Sequence, residues 1–416
     1  MGAIGGVDRH EVGLIRLPRL GRVEATSGVV GWRVVDPEGR VVEPVAQFLR
    51  DFAARGNRSG SVRSYAYALL RWWRWLQAVD VAWDRAGSAE VRDFVLWLGQ
   101  ARKTPRSPRT ASAGTAGTVN PVTGKRHLGD GFEPRTVRHS NAVLRGFYEY
   151  WMELGEGPLV NPVALAGKGG RGNAHHDPLE PFRTEGRLRY NPKIARRRPR
   201  GIPDQQWNEL FARLGSHRDR AIAALAVSNG ARAGELLGVR GVDVDWGGQR
   251  VQVTRKGAGE RQWLPGSPEA FVWLRLYLAE VGELGPDEPI WWTLRRRDHG
   301  DGLRRHPLNY EALRAVLRRV NTLLGSNYTM HDLRHTAALR MSRDDGLSMR
   351  DVQTILGHAH LSTTADVYLV EDDAEVLQRV HRHLARREQQ ALVAASVAVA
   401  VGYDAADLSV LFGTGR

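Results

Sequence analysis

Residues His331 to Tyr368 read HDLRHTAALRMSRDDGLSMRDVQTILGHAHLSTTADVY. Two histidines and an arginine fall within the first five positions, and an apolar run follows. On a helix start, His331 and Arg334 are three apart and share a side. His335 sits beside them and is expected to point elsewhere. A helix N-terminus also favours anions, through its unpaired N–H groups and dipole. Taken alone, the stretch reads equally well as a capped helix with a buried histidine. Further on, His358 follows Gly357 at a helix end. Tyr368 lies ten residues later, in a short helix that Ser362 or Thr363 is placed to cap. By itself such a tyrosine reads as core.

Two patches upstream share the property of setting a cation at an element boundary. In GARAGELLGV, Gly230 lets the chain turn, Arg232 begins a helix and Glu235 lies three residues on. Arginine presents a planar fork of donors suited to phosphate oxygens. The other reading is a surface arginine paired with Glu235. In TRKGAGERQWLP, Lys256 sits at the tip of a glycine-rich hairpin, from which a mobile ammonium can reach a ligand.

Taken jointly and in this order, GxR, RKGxGE, HxLRH, LGH and Tyr resemble the catalytic domain of the tyrosine recombinases, the phage integrase family. The resemblance covers Gly201 to about Arg386, and His331 to Tyr368 is its most specific part. It implies that Arg232, Lys256, His331, Arg334, His358 and Tyr368 stand at catalytic positions, Tyr368 being the nucleophile. There are departures: Ala231 and Val239 replace leucines usual in the family, and the insertion around Thr104 to Gly131 is long. The implied fold is mainly α, of the α+β class. A helical core-binding domain precedes a catalytic domain of helices with a small antiparallel sheet. The implied partners are double-stranded DNA and further copies of the chain, four protomers assembling on paired sites.

The composition agrees. A chain of 416 residues exceeds one compact core, so more than one domain is expected. Hydrophobic residues at 42% and charged residues at 25% fit a soluble globular protein. No leader is expected at Met1, and no apolar run reaches the roughly 20 residues of a membrane span. Cysteine is absent, which removes disulfides, thiolate nucleophiles and Cys-zinc sites and agrees with a cytoplasmic protein. The net charge of +14 is concentrated in two Gly- and Pro-rich stretches. Arg102 to Gly129 holds six basic residues and no acidic one; Lys168 to Arg200 holds ten against three. Basic linkers between near-neutral domains suggest a polyanion lying along them, although solvated connectors have the same composition.

The expected domains are an N-terminal extension at 1–43, a core-binding domain at 44–166 with a basic insertion at 102–131, a linker at 167–200, the catalytic domain at 201–388 and a tail at 389–416. GWRVVDPEGRVVEP, from Gly31 to Pro44, alternates around Asp36-Pro37-Glu38-Gly39 and predicts a hairpin. Helical periodicity predicts helices over Val45 to Ala54, from a cap at Ser61, from a cap at Ser88 and over Pro134 to Leu154. Their aromatics read as core. Arg63, Arg71, Arg74, Arg135 and Arg138 on other faces, with Arg196, Arg197 and Arg198 in the linker, are candidate phosphate contacts. Past Pro203, helices are expected to Ser228, then strands over Val242–Trp246, Arg250–Thr254 and Gln262–Leu264, then helices from Pro268. Ala391 to Val401 in the tail is apolar and calls for cover; the resemblance implies exchange between protomers, and folding back on its own domain is the equal alternative.

The chemistry implied is attack of a tyrosine on a phosphodiester, with cationic side chains in place of metals. No cofactor is expected: no Asp/Glu cluster suggests magnesium, and His175, His176 and Asp177 read as linker. Two other readings remain at this point. One is a non-catalytic DNA-binding protein on the same fold, which predicts loss of the nucleophile or an arginine. The other is topoisomerase-like strand relaxation.

Overall fold

The computed structural model describes residues 9–103, 113–166, 187–194, 200–256, 259–298, 302–344 and 346–357. The chain divides into two compact units. One comprises Met1–Val119 and Lys125–Arg196, the other Asn120–Gly124 and Arg197–Arg416.

The first unit begins with an antiparallel pair, β1 (Arg22–Ala25) and β2 (Trp32–Val35), in register Arg22↔Val35 to Ala25↔Trp32. This corrects the hairpin expected around Asp36–Gly39. The turn is there, with Gly39 at φ 83° and its N–H bonded to Asp36 O. Beyond it only the isolated bridge Val35↔Val41 forms. Helix α1 (Glu43–Ala54) takes over at once, because Pro44 fixes φ at a helical value in the first turn. The main partner of β2 is therefore the earlier strand.

Three helices follow: α2 (Ser59–Ala78), α3 (Ser88–Gln100) and α4 (Pro134–Glu153). Helix α2 starts before Ser61, and Gly87 rather than Ser88 caps α3, with Glu90 accepting the Gly87 N–H. The aromatic residues form the core, as their spacing predicts. Trp72, Trp75, Phe94, Phe147 and Tyr148 are all buried. Trp72 Nε1 donates to the Tyr148 hydroxyl at 2.8 Å, and that hydroxyl donates to Trp83 O at 3.0 Å. Both polar ends are thus satisfied inside an apolar cluster, which removes the cost of burying them.

The second unit is built around α6 (His217–Asn229), which follows α5 (Asp204–Ala212). Ser216 caps α6 by accepting from Asp219 N. From Ala221 to Ala226 every residue of α6 is buried, so this helix is a central rod with small side chains that let neighbours approach. A short helix α7 (Ala233–Leu237) precedes the antiparallel strands β3 (Val244–Asp245), β4 (Arg250–Thr254) and β5 (Arg261–Pro265), in the order β3-β4-β5. Val251, Val253 and Leu264 point into the core. Helix α8 (Pro268–Val281) packs on α6 and is followed by a small ribbon, β6 (Arg297–Asp298) with β7 (Leu303–Arg304), that has no counterpart in the sequence reading. Helices α9 (Tyr310–Leu324), α10 (Met330–Ser342) and α11 (Met349–Leu356) complete the described part, and α10 packs on α6.

Asn120–Gly124, from within the basic insertion, belongs to this second unit. Asn120 is 4% exposed. Its Nδ2 donates to Gly325 O at 2.7 Å, and its Oδ1 accepts from Val122 N and Thr123 N. Thr123 Oγ1 donates to Asn327 Oδ1 at 2.6 Å.

Candidate active site

Helix α10 is started by Thr329 and Asp332, whose carboxylate accepts both the backbone N–H and the hydroxyl of Thr329. That start fixes the first turn. His331 comes out exposed and Arg334 buried at 3%. The rings of His331 and His335 lie 4.3 Å apart, edge to face. His335 therefore does not point away from His331, as the sequence reading expected. Residues four apart on a helix are stacked neighbours, and that spacing outweighs adjacency to Arg334.

Arg334 spends its fork inside the unit. Nη1 donates to Gly230 O at 2.6 Å and Nη2 to Leu356 O at 2.8 Å. The first carbonyl lies two residues before Arg232; the second lies two residues before His358. Gly230 ends α6 in the left-handed region at φ 65°, and a Cβ there would come within 2.7 Å of Leu356 Cδ2. Only glycine serves both the turn and the close approach.

Arg232 is the N-cap of α7 and is partly exposed. It pairs with Glu235 at 2.8 Å, but Glu235 is not a surface partner: it is 4% exposed. Its Oε1 also accepts from Lys256 N at 3.3 Å. Its Oε2 accepts from Arg232 N at 2.9 Å and from Arg255 Nη1 at 3.0 Å. Burial pushes the Glu235 carboxyl upward. The hydrogen bonds from Arg232, the charge of Arg255 and the Lys256 N–H outweigh it, so the group sits below its ordinary value.

Lys256 is exposed at the end of the β4–β5 hairpin, where Arg255 N bonds to Glu260 O and Gly259 N to Arg255 O. Sequence reasoning missed Arg255, Gln262 and the central place of Glu235. Arg255 is 6% exposed. Its Nε donates to Gln262 Oε1 at 2.7 Å, and its Nη2 to Ile355 O. Gln262 Nε2 in turn donates to Thr354 O at 3.0 Å. The one signal in the sequence is a second cation directly before Lys256.

Thus α7, the hairpin tip, α10 and the C-terminal turn of α11 are laced together, and they carry Arg232, Lys256, His331 and Arg334. His358 and Tyr368 lie outside the described residues, as do Arg196, Arg197, Arg198, His175, His176, Asp177 and the tail. In the first unit the candidate phosphate contacts separate. Arg63 and Arg135 are exposed, Arg63 with its guanidinium 4.9 Å from the Trp32 ring centroid. Arg74 donates to Leu20 O and Gly21 O, and Arg138 to Pro192 O. Arg71 lies over Phe132 and donates to Ser140 Oγ. Burial, with a smaller contribution from Arg74, lowers its guanidinium to about 10.

Among known protein families, the phage integrase family matches residues 202–375, and its N-terminal SAM-like domain matches residues 45–113. The chain is 24% identical over 373 residues to transposase A of transposon Tn554 from Staphylococcus aureus, covering 86% of this chain and 95% of that protein. It is 34% identical over 263 residues to the tyrosine recombinase XerC of Chromobacterium violaceum, covering 62% of this chain and 76% of that protein. Its fold resembles that of the Tn1549 transposon integrase solved with circular intermediate DNA, with a TM-score of 0.53 at 12% identity, over 81% of this chain and 98% of that one. It also resembles a lambda integrase dimer bound to a core site, with a TM-score of 0.51 at 15% identity, over 78% of this chain and 93% of that one. With both family regions matched and a recombinase more than 30% identical over most of its length, the chain belongs to the phage integrase family, the tyrosine-type site-specific DNA recombinases.

Proposed function

We propose that the chain cleaves and rejoins double-stranded DNA through a 3′-phosphotyrosine intermediate, with Tyr368 as nucleophile and Arg232, Lys256, His331, Arg334 and His358 as its machinery. The observation that carries this is the lacing of four separate segments by Glu235 and Arg334. It supports the reading by tying to one another the segments that carry Arg232, Lys256 and Arg334.

In this reading the Tyr368 oxygen forms a bond to phosphorus as the bond to the 5′ oxygen breaks. His331, exposed at the start of α10, takes the phenolic proton. Lys256 gives a proton to the leaving 5′ oxygen. Arg232 and His358 face the non-bridging oxygens, where charge grows in the transition state, and Arg334 adds its charge from beneath while its fork holds Gly230 O and Leu356 O. Bond energy is kept in the phosphotyrosine, so a second DNA end can attack it without ATP. Rejoining between two duplexes requires four protomers on paired sites. A role in a mobile element is supported by the Tn554 transposase match, which spans 86% of the chain against 62% for XerC. Arg63, Arg135 and the linker arginines 196–198 are the phosphate contacts this reading favours.

The test is to incubate the protein with the DNA flanking its own gene, trap the covalent adduct and map it. Tyr368→Phe keeps the ring and removes the attacking oxygen. It should bind DNA and form no adduct. An adduct persisting in that variant would place the nucleophile elsewhere.

A further inference from the structure

We propose that Arg255 is a positioning residue for Lys256: its buried guanidinium holds the hairpin tip at the register in which Lys256 faces the leaving oxygen. The inference rests on the recombinase reading above and on the role it gives Lys256.

Successive residues at the end of a strand point to opposite sides. Arg255 and Lys256 show this sharply, the first 6% exposed and the second out in solvent. Burying the first is what turns the second outward. The guanidinium of Arg255 is bound on three sides by groups from three segments. Gln262 lies across the hairpin, Glu235 lies on α7, and the Ile355 carbonyl lies on the last turn of α11. The Glu235 carboxylate that pairs with Arg255 also holds the backbone N–H of Lys256, so the two neighbours share one anchor. The room for this is built in. Gly357 ends α11 at φ 63°, and a Cβ there would lie 2.9 Å from Arg255 Nε.

Stability alone does not call for such an arrangement. A buried ion pair is commonly replaced by apolar residues at no loss. What an apolar residue at this position could not do is bind α7, β5 and α11 at once. A guanidinium has five donors in a fixed plane, and its three nitrogens each reach one of these partners. Without it, among the described residues the tip around Lys256 is tied by backbone bonds alone: the Lys256 N–H to Glu235 at 3.3 Å, Arg255 N to Glu260 O, Gly259 N to Arg255 O and the strand pairing behind them.

The experiment separates a proton-delivery defect from a general one. Two duplexes carry the mapped cleavage site, one with the natural bridging 5′ oxygen at the scissile phosphate and one with sulfur in its place. A sulfur leaving group departs as a thiolate, since thiols ionise near pH 8.5, and takes its proton from water afterwards. Single-turnover adduct formation is measured for wild type, Lys256→Ala, Arg255→Met and Arg255→Lys, each checked by thermal melting. Arg255→Met should lose at least about tenfold on the oxygen substrate and return to within about threefold of wild type on the sulfur substrate, as Lys256→Ala should. Arg255→Lys should show the same pattern more weakly, and it decides the matter if the methionine variant does not fold. An equal loss on both substrates, or no loss on either, overturns the positioning role. Failure of the wild type to form an adduct with either duplex would instead refute the recombinase reading itself.

Discussion

Changing Glu235 to glutamine alters one atom and should disable the site. The carboxylate takes four donors, two on each oxygen. Oε1 accepts Arg232 Nη1 at 2.8 Å and Lys256 N at 3.3 Å; Oε2 accepts Arg232 N at 2.9 Å and Arg255 Nη1 at 3.0 Å. Whichever way the amide turns, its NH2 group faces two donors and two bonds are lost. Each lost buried bond costs about 1–3 kcal/mol. The charge opposite two arginines is lost as well, and breaking a buried pair typically costs about 3–5 kcal/mol. These costs overlap, because the lost bonds belong to the pair, so a total of about 3–5 kcal/mol should lower the melting temperature of a unit of this size by about 6–20 °C. Below the transition, the folded variant should bind DNA nearly as well as wild type, because many phosphate contacts share that affinity. Its adduct formation should fall by at least about tenfold, a loss above roughly 1.4 kcal/mol at the transition state. Calorimetry and a single-turnover cleavage assay measure the two effects. A melting temperature within about 2 °C of wild type, with cleavage unchanged, would refute the view of Glu235 as the anchor of Arg232 and Lys256.

Arg334→Lys should destabilise the second unit as well as slow cleavage, since one ammonium cannot hold Gly230 O and Leu356 O together; urea unfolding beside the cleavage assay would show both. Acid should loosen the site. The Glu235 pKa is depressed in the folded state from its ordinary 4.5, so its stabilisation is present above that value and is lost as pH falls through the folded value, which melting curves between about pH 6 and 3 would follow. Changing Arg196, Arg197 and Arg198 together to glutamine should flatten the salt dependence of DNA binding and weaken all sequences alike, as read by titration at several salt concentrations.

The helices were legible because their apolar residues recur with a period near 3.6 and Pro44 and Pro134 mark starts. The first β pair was not. Strands of four residues offer two apolar positions to a face, and RVVEP past the turn alternates as well as RVEA does. What decides between them is that a helix claims Glu43 and Pro44, a competition that a local pattern does not display. Arg232, Lys256, His331 and Arg334 were legible as a set. Their mode of support was not. Arg255 meets Ile355 across 100 residues of sequence, and adjacency to Lys256 says nothing of that partner. Glu235 was read as the surface partner of Arg232 because its spacing fits a pair; its burial comes from the hairpin folding over it.

The seating of Asn120 bears on synthesis. Its carbonyl partner Gly325 emerges 205 residues later, which at ribosomal rates is a delay of roughly 10–40 s. During that interval residues 120–124 are made and lack their Gly325 and Asn327 partners. The second unit is thus discontinuous in the chain, and its last long-range contacts close only after α9 has been produced. Contacts of such separation slow folding, because the intervening loop must be closed before any gain is realised. A chain cut at residue 200 to isolate the second unit would leave Gly325 O and Asn327 without these partners. Supplying residues 120–124 as a separate peptide should raise its melting temperature.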